Sequence, residues 1–100
     1  MLVNHDLSRA VVWWTGWGTA MSPIREDGRL DVEYGDDRAA GFLHQVHSLE
    51  EDFYRSTAHL TAPDLRAMGV QAANEFRARH PDISDEAVAA LSWCYTYDFK

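Results

Sequence analysis

Lysine is almost absent from this sequence: the chain has one, Lys100, against eight arginines. Cysteine is as scarce, and the single Cys94 cannot form an internal disulfide, which fits a reducing, cytoplasmic setting. No segment approaches the roughly 18 consecutive apolar residues of a membrane span. Met1-Leu2-Val3-Asn4-His5-Asp6 has no basic stretch leading into an apolar one, so no secretory leader is expected. Repeats, low-complexity tracts and long linkers are also missing, and one compact domain over residues 1–100 is expected. Three catalytic signatures are absent as well. There is no GxSxG elbow, no HExxH pair, and Gly16-Trp17-Gly18 is too short for a phosphate loop and lacks its GK[ST] ending.

What is present is acid and aromatic. Sixteen carboxylates against nine cations give a net charge of −7, which repels phosphate backbones and argues against a nucleic-acid partner. Apolar residues make up 46%, enough for a real core. The preference for arginine, with thirteen alanines, points by composition to a GC-rich bacterial genome.

The expected architecture is mainly α, about four helices near 6–15, 37–58, 63–80 and 85–93. In the first, Leu7, Val11 and Trp14 form an apolar stripe behind Asn4 or Asp6 as cap. Val11-Val12-Trp13-Trp14-Thr15 also suits a buried strand, but helix is preferred. Asp36 and Asp37 open the second, whose stripe is Phe42, Val46, Leu49 and Phe53. The third is capped at Thr61 or Ala62, and Leu65, Met68, Ala72 and Phe76 share its inner face. Gly69 on that face signals a close helix approach, with Ala72 and Ala73 alongside. The fourth starts at Ser84 and turns Val88 and Leu91 inward. A two-stranded ribbon is the α+β alternative. It would pair Leu30–Tyr34 with Trp93–Phe99, the two clearest segments of period 2.

Few residues suggest chemistry. His44, His47 and Glu51 lie on one face of the second helix and could bind a divalent ion with a fourth ligand. A solvated face with Glu51 paired to Arg55 is the simpler reading, and no metal or other cofactor is expected. Cys94 sits among aromatics with no lysine or arginine nearby in sequence to stabilise a thiolate, so a buried structural thiol is expected.

These features favour a non-enzymatic protein-binding module. The most concrete version is an inhibitor of antitoxin, immunity or phage type that caps a basic partner such as a toxin or nuclease. Contacts are expected from Glu26, Asp27, Asp31, Glu33, Asp36 and Asp37, with Trp14 or Trp17 as an aromatic anchor. A self-associating helical scaffold, such as a homodimer, and a small metal-binding protein using His44, His47 and Glu51 are the alternatives.

Overall fold

Helix α1 (His5–Thr15) begins where the Asn4 side chain accepts a hydrogen bond from the Leu7 amide. It ends at Gly16, whose φ of 83° is left-handed. The computed structural model describes residues 3–100, so Met1 and Leu2 of the leader reading lie outside the described residues. Five further helices follow: α2 (Gly28–Tyr34), α3 (Asp36–Phe53), α4 (Ala58–Thr61), α5 (Leu65–Arg79) and α6 (Asp85–Phe99). Among the described residues there is no strand, and the fold is mainly α. None of these helices is long and apolar enough to cross a membrane.

The caps explain most boundaries. Ser84 accepts from the Ala87 amide and opens α6, as its sequence predicts. The cap expected at Thr61 or Ala62 moves to Asp64, which accepts from the Ala67 amide at 2.7 Å. Thr61 instead closes α4. The long helix expected to reach residue 58 stops at Phe53. Buried Ser56 is the reason: its Oγ accepts from the Ala58 amide, and its carbonyl accepts from the Tyr95 hydroxyl. These local bonds replace the next helical turn.

The ribbon does not form. Leu30–Tyr34 lies in α2, and Trp93–Phe99 continues α6. On a helix, Leu30 and Tyr34 share a face and Val32 points the other way, 86% exposed. Likewise Trp93 and Tyr97 make one row of α6 and Tyr95 and Phe99 another. An alternating string of aromatics thus serves two faces of a single helix.

The core draws on α1, α2, α3, α5 and α6, with Val11, Leu30, Val46, Phe53, Phe76 and Tyr95 fully buried. Two residues expected there fall outside it. Phe42 is half-buried against Tyr34, ring centroids 5.0 Å apart, and Arg38 lies over both rings. Leu65, the first residue of α5, is 46% exposed. Gly69 behaves as expected. A Cβ there would lie 2.9 Å from Ser92 Oγ and 3.1 Å from Thr96 Cγ2, so bare backbone lets α5 and α6 approach closely.

Candidate functional site

Trp13 and Trp14 divide as neighbours on a helix must, with Trp13 36% exposed and Trp14 2%. Trp14 Nε1 donates to Asp27 Oδ1 at 3.0 Å, and His47 Nε2 lies 3.0 Å from the same oxygen. The hydrogen bond to His47, then that from Trp14, hold the Asp27 carboxyl below its usual range. This tie corrects one expectation: Trp14 is buried and offers no contact surface. Asp27 remains exposed, with one carboxylate oxygen engaged by Trp14 and His47. Trp17 is half-buried against Trp93, centroids 5.3 Å apart. Glu26, Asp31, Glu33, Asp36 and Asp37 are exposed, and Glu33 reaches Arg9 only at 3.8 Å.

His47 is therefore turned toward Asp27, while His44 and Glu51 are exposed. Among the described residues no three His, Cys, Asp or Glu side chains are grouped so as to hold a metal ion. Nor does Glu51 hold Arg55: Arg55 pairs with Asp52 at 3.6 Å. Asp52 in turn accepts from Arg79 Nε at 2.8 Å, with His80 Nε2 also at 2.8 Å. Burial works to raise the Asp52 carboxyl, but the bonds from Arg79 and His80 outweigh it and leave it lowered.

A second polar knot closes the irregular segment between α1 and α2. Arg25, at φ 54°, stands in the left-handed region, and its side chain reaches the last turn of α6. Its guanidinium donates to both Asp98 oxygens, at 2.6 and 3.1 Å, and the Tyr54 hydroxyl donates to Asp98 Oδ2 at 2.5 Å. Beneath them Cys94 is fully buried, and burial pushes its thiol up to about 12. That is the inert thiol expected from its sequence context, although Arg25, remote in sequence, lies close enough to oppose the shift.

Asp98 gives this knot a pH dependence. Burial works to raise its carboxyl, but the bonds from Arg25 and Tyr54 dominate and hold it below the ordinary value. A lowered folded value stabilises the fold above the ordinary carboxylate pKa, and the stabilisation is lost as pH falls through the folded value. Near pH 6 the wild type should therefore be more stable than Asp98→Asn, and urea titrations should show the gap narrowing as the pH falls below the ordinary carboxylate value of about 4. Glu50 beside Arg25 is raised by burial and, in smaller part, by the Asp98 charge, so the two proteins are compared in a Glu50→Gln background. A gap that stays constant to about pH 2 would remove the Asp98 charge as its origin.

A groove of about 580 Å³ runs along the seam of α5 and α6. Gly69, Ala73 and Ala89 lie along it where side chains are short, with Leu65, Val70, Trp93 and Tyr97 as its apolar neighbours. Val70 is 54% exposed, which is high for an aliphatic side chain on a helix with its core face elsewhere. Arg66 and Lys100 stand at one end and Arg77 at the other, and no Asp or Glu side chain lines it. Such a surface, apolar along its length and charged at its ends, can hold a peptide or helix. Sequence reasoning passed it over because Val70 falls outside the Leu65, Met68, Ala72 and Phe76 stripe. The available signal was that isolated valine, together with the Trp93 and Tyr97 pair four apart on α6. Comparison with known proteins finds no match: no family model fits the chain, and no curated protein or solved structure resembles it.

Proposed function

We propose that this chain is a non-enzymatic protein-binding module that docks its partner in the α5–α6 groove. The observation that carries this reading is the groove itself, an open apolar seam with exposed Val70 and Leu65 beside it. Contiguous exposed apolar surface with a polar rim is the usual mark of an interaction site. Its backbone is rigid helix, so a partner would meet a largely preformed surface. A cytoplasmic setting suits the single buried cysteine.

A second reading uses another face. Val32 stands exposed between Asp31 and Glu33 on α2, with Asp36 and Asp37 just beyond. An inhibitor that caps a basic toxin or nuclease would use these residues, the carboxylates acting chiefly on association rate.

One experiment separates the two. A photo-crosslinking amino acid is placed at Val70, at Asp37 or at Gln45 in cells of the source organism. Discrete adducts from Val70 alone, abolished by Ala89→Glu, are the expected result. Adducts from Asp37 alone would move the docking surface to the acidic face. Adducts from none, or equally from all three, would overturn the module reading.

A further inference from the structure

We infer that the α5–α6 groove receives an acidic amphipathic helix of another protein, a conclusion that rests on the groove being the docking surface. The argument is from charge and length. In a chain of net charge −7, the groove inverts the sign: three of nine cations line it and none of sixteen Asp and Glu side chains does. Arg77 at one end donates to Asn74 Oδ1 at 3.4 Å and has the highly exposed Asp85 as its acidic neighbour, also at 3.4 Å, a partner readily exchanged for an incoming carboxylate. At the other end Lys100 Nζ lies 4.3 Å from the Tyr97 ring centroid, held over an apolar wall rather than by an acid. From Leu65 to Arg77 the seam runs twelve helical rises, about 18 Å, which suits some three turns of a docked helix. Apolar side chains at i, i+3 or i+4 and i+7 would fill the seam, and acids at the helix ends would meet the cations.

A second copy of this chain fits less well. Groove against groove would bring three cations from each copy together with no Asp or Glu side chain lining either surface. Of the chain's own acidic helices, α3 carries five carboxylates but exposes no large apolar side chain, and the shorter α2 has seven residues and spans only about 10 Å. Its exposed apolar content is Val32, which would leave half of the seam uncovered.

The test uses two synthetic 14-residue peptides with one leucine stripe, flanked in one by glutamates and in the other by lysines. Binding is followed by amide chemical shifts and fluorescence anisotropy at low salt. The glutamate peptide should bind saturably, shift the amides of Val70, Ala89 and Tyr97, and bind at least about tenfold tighter than the lysine peptide. Arg66→Glu with Lys100→Glu should reverse that preference. Both side chains are exposed, so an unchanged thermal melt verifies that the variant is folded. Equal binding of the two peptides, or tighter binding of the lysine one, overturns the acidic occupant but leaves the groove a docking surface. So does self-association, seen by sedimentation, that shifts the same amides without peptide. Binding of neither peptide also overturns the inference, and crosslinking at Val70 then decides separately whether the groove docks anything.

Discussion

Phe53→Ala should lower stability by about 3–5 kcal/mol, because it leaves a cavity where three elements meet. Phe53 is fully buried at the last turn of α3, and its ring lies 5.2 Å from Phe76 of α5 and 5.6 Å from Tyr95 of α6. Neither neighbour is free to move in. Tyr95 is fixed by its own hydroxyl, which donates to the Ser56 carbonyl at 3.0 Å and accepts from the His59 amide at 3.0 Å. Phe76 leans on His80 on its other side, centroids 4.6 Å apart. The void should therefore persist, placing the cost in the upper part of the range. For a domain of this size the melting temperature should fall by roughly 12–40 °C. Calorimetry on purified wild type and variant measures it directly. An unchanged melting temperature would mean that α3, α5 and α6 do not meet at this point.

Gly16→Ala should be nearly as damaging, for a different reason. With φ at 83°, an L-residue there carries a backbone cost of about 1–2 kcal/mol. Its Cβ would also lie 2.9 Å from Ile24 Cδ1 and 3.0 Å from Ala20 Cβ, adding about 1–3 kcal/mol of overpacking. Gly18 supplies the matched control, since its φ is 85° but nothing lies within 4 Å of a Cβ built there. Gly18→Ala should thus show the backbone cost alone, and the difference between the two variants isolates the packing of the 16–24 turn. Equal losses in chemical denaturation would show that Ile24 does not press on Gly16.

The helices with one apolar stripe were legible in the sequence. In α3, Val46, Leu49 and Phe53 recur at helical spacing and face the core, and in α5 Met68, Ala72 and Phe76 do the same. Elements that meet neighbours on several sides were not. Helix α6 packs against α1, α3 and α5, so its apolar residues surround the axis and no single period stands out. Trp93, Tyr95, Tyr97 and Phe99 then read as a strand, although they are two pairs of neighbours four apart. In α2 the same ambiguity arises from length: over five residues, Leu30 and Tyr34 with an exposed Val32 satisfy both periods. The proposed contact residues fared unevenly because sequence reports which residues are polar, not which are already engaged. Asp27 looked like one more acid beside Asp31 and Asp36, and its bonds to Trp14 and His47 arise from chain segments 13 and 20 positions away. The groove was hidden for a related reason. Its cations come from residues 66, 77 and 100, and only the antiparallel packing of α5 and α6 brings them to one seam.

The contacts that hold α1 set a timetable for biosynthesis. Ser8 Oγ accepts from the Ser84 amide across 76 positions, Asn4 donates its amide to the Asp82 carbonyl, and Arg25 reaches Asp98 across 73. On the ribosome, the first helix must wait for the segment that covers it. At the usual elongation speed that interval is roughly 4–15 s, during which its apolar stripe of Leu7, Val11 and Trp14 has no permanent neighbour from α6. Helices α3 and α5 can meet earlier, but neither covers the face of α1 that α6 occupies. The apolar face of α1 thus gains its α6 neighbour only after some eighty further residues have been added, and native packing of the first helix waits on the sixth.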